Sequence, residues 1–113
     1  MVLSGVMTIG LTINEIQTAI RSAIVDLPDV TAVYGFGSFF RGEAAYRDID
    51  VLVVVSPYCE DTLTLYYMVR QRLQAIGDLL DLTLLTYEEF QRKPLLEHDS
   101  LTEVYARCRC SGK

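Results

Sequence analysis

Residues that build disulfide frameworks, zinc sites and catalytic triads are scarce in this sequence. Its 113 residues include three cysteines without framework spacing and one histidine, His98. An odd number of unpatterned cysteines is typical of a reducing compartment, so we expect a cytoplasmic protein. His98 with Cys108 and Cys110 supplies fewer than the four ligands of a structural zinc site, and no nucleophile is marked as a partner for a triad.

Positive charge and long apolar runs are scarce as well. Ten Lys and Arg against fifteen Asp and Glu give a formal net charge of −5, a surface that repels phosphate backbones, so direct nucleic-acid binding is not expected. The longest aliphatic run, residues 51–55, is far short of the roughly 18 apolar residues that cross a bilayer. No basic residue precedes Arg21, which argues against a signal peptide. We expect one domain over residues 1–113, without separate cofactor and substrate domains.

Apolar residues make up half of the chain, and their spacing predicts alternating helices and strands. Thr12 and Glu15 have the spacing of a capping box at the start of the first helix. In chain order, we expect a helix over about residues 13–26, strands over 30–34 and 49–55, a helix over 61–76, a strand over 79–85 and a short helix over about 87–92. This order predicts an α/β (α+β) domain in which helices pack on a small mixed sheet.

Two segments allow more than one interpretation. Residues from 95 onward fit either a last helix capped at Ser100 or an edge strand through Val104, and we expect residues 107–113 to form a flexible tail. The apolar run of residues 66–69 is interpreted as core packing. Its alternative is a partner interface, if the helix exposes more apolar surface than a small sheet can cover.

Two aspartates stand directly before the most apolar strand of the chain. Asp48 and Asp50 are two residues apart, so in an extended strand they point to the same side, about 6–7 Å from each other. Desolvation and repulsion at the mouth of a buried strand cost on the order of several kcal/mol per ion. A divalent cation removes this cost, and hard oxygen ligands suit Mg²⁺. The alternative is a polar strand end with both carboxylates in water.

A glycine-serine segment and a third aspartate extend this pattern. Gly37 and Ser38 follow a predicted strand and open a short helix, whose first N–H groups suit a phosphate. Arg41 or Arg47 can add positive charge, and Asp81 lies early in the next predicted strand. If that strand pairs beside the one that the two aspartates open, three carboxylates converge on the turn. Two-metal phosphoryl chemistry requires such an arrangement.

The segments Gly37-Ser38-x-x-Arg41-Gly42 and Asp48-Ile49-Asp50 resemble, in this order, the signature of the minimal nucleotidyltransferases in the DNA polymerase beta superfamily. The resemblance covers about residues 12–106. It implies the polymerase beta-like nucleotidyltransferase fold and an Mg²⁺-dependent enzyme that uses a nucleoside triphosphate, with ATP as the expected substrate.

The same resemblance implies roles for individual residues. Asp48 and Asp50 would bind both Mg²⁺ ions, and Asp81 would complete one metal site and assist deprotonation of an acceptor hydroxyl. Gly37 and Ser38 would hold the triphosphate.

The sequence departs from the family pattern at two points between the glycine-serine turn and the first aspartate. Nine residues separate Ser38 from Asp48, where many members have ten, and Arg47 stands where a serine commonly precedes the first aspartate. We assign Arg41 and Arg47 to nucleotide binding, although an arginine at position 47 can also hinder a metal.

Minimal nucleotidyltransferases of this kind are often paired with a helical HEPN-type ribonuclease toxin, and they act as antitoxins by transferring AMP from ATP to a toxin hydroxyl. The resemblance and the small size therefore predict a protein adenylyltransferase whose partner is a HEPN-type toxin or a second copy of the chain. Two alternatives stay open. One is transfer to a small-molecule hydroxyl such as that of an aminoglycoside, and the other is a non-catalytic module that neutralises its partner by contact.

Overall fold

Helices and strands alternate along the part of the chain that the structure, a computed structural model, describes, namely residues 12–77, 79–92 and 101–107. The elements are α1 (Ile13–Ile24), β1 (Val30–Phe36), α2 (Gly37–Phe40), β2 (Ile49–Val55), α3 (Thr62–Ile76), β3 (Leu80–Thr86), α4 (Tyr87–Arg92) and β4 (Thr102–Ala106). The predicted order is confirmed, with boundaries within two residues of those expected. Among these ranges, no helix is long and apolar enough to cross a membrane.

The strands form one mixed sheet in the order β3-β2-β1-β4. β2 lies between β1, which is antiparallel to it, and β3, which is parallel, while β4 pairs antiparallel with the outer side of β1. The parallel connection from β2 to β3 runs through α3, as such pairs require. The predicted mixed sheet and the interior position of its most apolar strand are both confirmed.

Both faces of β2 are buried, which explains its continuous valine and leucine sequence. On one face, Val51, Val53 and Val55 belong to the core that α1 and α3 complete. On the other face, Leu52 and Val54 are also buried. The helices contribute residues four positions apart, which are Ile16, Ile20 and Ile24 in α1 and Leu65, Val69 and Leu73 in α3. The strand that follows Asp48 and contains Asp50 is therefore firmly held.

Reciprocal hydrogen bonds fix where two of the helices begin. The Glu15 N–H donates to Thr12 Oγ1 over 3.1 Å, and the Thr12 N–H donates to Glu15 Oε1 over 2.8 Å, so the predicted capping box is confirmed. Thr86 and Glu89 make the same pair of bonds at the start of α4. A cap of this kind contributes about 1 kcal/mol to the stability of its helix.

The apolar run of residues 66–69 is not core as a whole, so the expected core packing is wrong for part of it. Val69 is buried, whereas the side chains of Tyr67 and Met68 are 56% and 37% exposed. The helical repeat is the reason, because a stripe through Leu65, Val69 and Leu73 already faces the core and the positions between them turn away. α3 therefore carries exposed aromatic and apolar surface.

The segment after residue 95 ends in an edge strand, β4, which decides between the two interpretations. Arg107, expected in a flexible tail, is instead bound to the end of the first helix and the start of β1. Its N–H donates to the Thr31 carbonyl over 2.9 Å, and its guanidinium donates to the Leu27 carbonyl over 3.0 Å. His98, Ser100, Cys108, Cys110 and the remainder of the predicted tail lie outside the described residues.

Two leucines on α3 test this core. Leu65 is 8% exposed and Leu63 is 63% exposed, although they are two positions apart in the same helix. Because a cavity remains where a buried leucine is removed, Leu65→Ala should lower the free energy of unfolding by about 2–5 kcal/mol in urea titration. The matched control Leu63→Ala should change it by less than about 0.5 kcal/mol. Equal losses in the two variants would contradict the burial described for α3.

Candidate functional site

Register between β2 and β3 brings the predicted carboxylates together at one end of the sheet. In this parallel pair Asp50 stands directly opposite Asp81, and Asp48 lies just before β2 begins. The pairing expected from the sequence is therefore present. Asp48 and Asp81 are exposed and Asp50 is half-buried. Among the described residues, none donates a hydrogen bond or forms an ion pair with any of these three carboxylates.

The glycine-serine turn reaches the same end of the sheet from the other side of β2. Phe36, the last residue of β1, pairs with Asp50, and Gly37 then opens the four-residue helix α2. Gly37 has a φ of +82°, in the left-handed region, and a Cβ built on it would collide with the Asp50 carboxylate. Only glycine lets the backbone turn here and approach that carboxylate so closely.

Asp48 lies between two open clefts. The first has a volume of about 530 Å³ and is lined by Ser38, Glu43, Ala44, Ala45, Tyr46, Arg47, Asp48 and Asp50. The second has a volume of about 440 Å³ and is lined by Asp48, Tyr66, Arg70, Leu73, Gln74, Leu79, Leu80, Asp81 and Leu82. The catalytic residues predicted from the sequence thus form the boundary between a cleft on the turn side and a cleft on the α3 side.

Burial raises the pKa of Asp50, and the charges of Asp81 and then Asp48 raise it further. The fold therefore holds a carboxylate where it is poorly solvated and repelled by two others. In the described ranges, no group of three or more Asp, Glu, His or Cys side chains is arranged so that it could hold a metal ion as it stands. The carboxylates of Asp48, Asp50 and Asp81 nevertheless fit a hard divalent cation, which they would hold. They offer oxygen ligands, they carry like charges, and they have no other partner among the described residues.

The two predicted nucleotide-binding arginines differ in their surroundings. Arg47 is exposed and lines the first cleft together with Ser38. The Arg41 guanidinium forms an ion pair with Glu43, with 2.8 Å between Nε and Oε2, and it does not line that cleft. Arg47 is therefore the arginine that the fold brings beside the carboxylates, while the charge of Arg41 is shared with Glu43.

Sequence reasoning missed the residues that α3 contributes. Tyr66, Arg70 and Gln74 line the second cleft with Asp81. Their spacing of four residues marks one face of a helix, and this was the only signal available. It did not reveal which helix face would lie beside the start of β3.

Comparisons with known proteins identify the family of the chain. The family model of the nucleotidyltransferase domain matches residues 18–104. The chain belongs to the nucleotidyltransferase domain family. Domains of this family transfer nucleotidyl groups and generally use a nucleoside triphosphate and a divalent metal ion.

The fold itself has a counterpart among solved structures. A crystal structure of a candidate nucleotidyltransferase from Sulfolobus solfataricus aligns with 92% of this chain and 88% of its own, with a TM-score of 0.62 and 23% sequence identity. The predicted nucleotidyltransferase fold is thus confirmed. No curated protein matches the chain.

Two glycines with nearly the same backbone conformation allow a test of the close approach at the site. Gly37 and Gly42 have φ values of +82° and +85°, but a Cβ on Gly42 would meet no atom within 4 Å. Alanine at either position should cost about 1–2 kcal/mol for the left-handed conformation. Gly37→Ala should cost about 1 kcal/mol more, since its methyl group displaces the Asp50 carboxylate. Urea titration measures the difference, and equal losses would exclude the contact with Asp50.

The raised pKa of Asp50 predicts how stability depends on pH when metal is absent. Between the unfolded value and the higher folded value, the folded state binds more protons, so stability should fall as pH rises through that interval. In EDTA, Asp50→Asn should remove this dependence and be more stable than wild type at pH 7. Mg²⁺ should raise the melting temperature of wild type but not of Asp50→Asn. If the stability of wild type rose more steeply with pH than that of Asp50→Asn, the raised pKa of Asp50 would be contradicted.

Proposed function

We propose that this chain transfers AMP from ATP to a hydroxyl group of a partner protein, with two Mg²⁺ ions, and that the partner is a HEPN-type ribonuclease toxin which it neutralises as an antitoxin in the cytoplasm. One observation carries the catalytic part of the proposal. Asp50 stands opposite Asp81 in register, beside Asp48 and against the backbone of Gly37. Three unpartnered carboxylates beside a glycine-serine turn are suited to phosphoryl transfer with metal ions.

The residues divide the work of the reaction between the two sides of β2. The Gly37-Ser38 turn and Arg47 bind the triphosphate in the first cleft. Asp81 faces the second cleft and accepts the proton of the acceptor hydroxyl. As it does so, the oxygen of that hydroxyl forms a bond to the α-phosphorus. The bond from that phosphorus to the bridging oxygen breaks, and pyrophosphate leaves with the electron pair. A divalent cation held by the aspartates would lower the pKa of the attacking hydroxyl and stabilise the leaving group.

Two observations support a macromolecular acceptor. Asp48 and Asp81 lie at the surface, so a hydroxyl on another protein can reach them. The exposed side chains of Leu63 and Tyr67 give an apolar surface to the face of α3 that also carries Arg70, and apolar and aromatic residues are typical of protein interfaces. The resemblance to minimal nucleotidyltransferases supports the HEPN-type toxin as the partner.

Incubation with Mg-ATP and the HEPN-type protein encoded nearest to it tests the whole proposal. Intact-protein mass spectrometry should find a gain of one AMP on the partner. Asp48→Asn, Asp50→Asn and Asp81→Asn should each lower the rate by at least about 10³-fold, because each removes a carboxylate that acts on the reacting groups. Asp29→Asn is the matched control, since Asp29 lies at the opposite end of the sheet and should leave the rate unchanged. Transfer that persists in all three site variants would exclude this site.

The other functions considered from the sequence give different results in the same system. Labelling of aminoglycosides or other small hydroxyl compounds, but not of the partner, would favour a small-molecule transferase. Absence of metal-dependent ATP binding in calorimetric titration, with the partner still inhibited, would favour a module that acts by contact alone.

A further inference from the structure

In the proposed function the triphosphate lies in the first cleft, so no part of the nucleotide is assigned to the second cleft, which shares Asp48 with the first. Its walls are the start of β3, with Asp81, and the face of α3 that carries Tyr66, Arg70 and Gln74. Arg70 and Gln74 are exposed and are one helical turn apart. The cleft therefore combines a carboxylate able to accept a proton with a guanidinium and an amide able to bind a second group.

The arginines that line the two clefts differ from the other described arginines in having no side-chain partner. Among the seven arginines of the described ranges, five make side-chain hydrogen bonds or ion pairs with other residues, namely Arg21, Arg41, Arg72, Arg92 and Arg107. Arg47 and Arg70 make none to described residues. Each of these two lines one of the clefts that meet at Asp48. In a protein with a net charge of −5, two unpaired guanidinium groups beside the carboxylates point to two anionic ligands.

Phosphoryl transfer assigns a different ligand to each cleft. The attacking and leaving oxygens lie roughly in line on opposite sides of the phosphorus. With the leaving pyrophosphate in the first cleft, between Ser38 and Arg47, the attacking hydroxyl approaches from the second, past Asp81. Arg70 is then on the acceptor side of the phosphorus, where the nucleotide supplies no phosphate group for it to bind.

We propose that the cleft between α3 and β3 is the acceptor site, and that Arg70 selects a protein segment in which a carboxylate side chain lies next to the acceptor hydroxyl. This inference rests on the proposed function. The planar fork of a guanidinium matches a carboxylate with two parallel hydrogen bonds, and Gln74 can bind the backbone of the same segment. Tyr67 and Leu63 continue the exposed face of α3 three and seven residues before Arg70, so a peptide chain can lie along it.

Nuclear magnetic resonance of the full chain, titrated with two capped tripeptides in the presence of Mg²⁺, tests the acceptor site. Both have a central tyrosine, flanked by glutamates in one peptide and by lysines in the other. The acidic peptide should shift the amide signals of Arg70 and Gln74 and bind at least about fivefold more tightly than the basic one. Arg70→Glu should reverse the preference, and Arg70→Lys should keep its direction but weaken it, because an ammonium group cannot make the two parallel hydrogen bonds. Arg92→Glu is the matched control, an exposed arginine at the end of α4, and should behave as wild type.

Three results would overturn the proposal. They are equal binding of the two peptides, shifts that avoid Arg70 and Gln74, and a loss of Mg-ATP affinity in Arg70→Glu as large as that in Arg47→Glu. The last would make Arg70 part of the nucleotide site. A separate titration with Mg-ATP, read at Ser38 and Arg47, reports on the proposed function. Its failure would count against nucleotidyl transfer, while the peptide preference would still decide what the second cleft binds.

Discussion

Repulsion among three carboxylates at one end of the sheet is the constraint around which this molecule is built. Asp50 faces Asp81 because β2 and β3 pair in one register, and β2 is fixed within the sheet by side chains that are buried on both of its faces. The core therefore holds the charges together against their repulsion.

The backbone is adapted to the same constraint. Gly37 combines a left-handed conformation with contact to the Asp50 carboxylate, so the residue that turns the chain also forms one wall for that side chain. The unpaired Arg47 stands on the same side of β2, and the unpaired Arg70 stands on the other. An arginine thus lies on each side of the three aspartates, but neither forms an ion pair with them. In the proposed function, the carboxylates would hold a cation and the guanidinium groups would bind the substrates.

Much of the fold could be predicted because its signals are local. Continuous apolar residues in β2, the four-residue spacing of core positions in α1 and the Thr12–Glu15 cap all depend on neighbours within one element. The placement of the three aspartates and the glycine-serine turn at one end of the sheet was predictable for a similar reason, since their order along the chain follows the order of the strands. The sequence did not distinguish Arg47 from Arg41. Only Arg47 lies in the cleft with the carboxylates, because of the path that residues 41–47 take back to the sheet.

Other features depend on contacts between distant segments and could not be predicted. The exposure of Tyr67 follows from which stripe of α3 meets the core, and the apolar sequence of residues 66–69 does not specify that. The position of Arg70 beside Asp81 depends on how α3 crosses from β2 to β3. Residues 102–106 carried both helix and strand signals, and pairing with β1 decides in favour of a strand. Arg107 binds carbonyl groups about 80 residues earlier, a distance at which local patterns carry no information.

Pairing between β1 and β4 also orders events during synthesis. β1 leads directly into the Gly37 turn, and its outer side pairs with β4, where Ala32 stands opposite Ala106. That edge of β1 stays open until the ribosome has released residue 106, which takes several seconds after β1 emerges at about 5–20 residues per second. An open strand edge is a template for pairing with other chains. Until β4 pairs with it, the nascent chain therefore carries on β1 an open strand edge that the folded sheet covers.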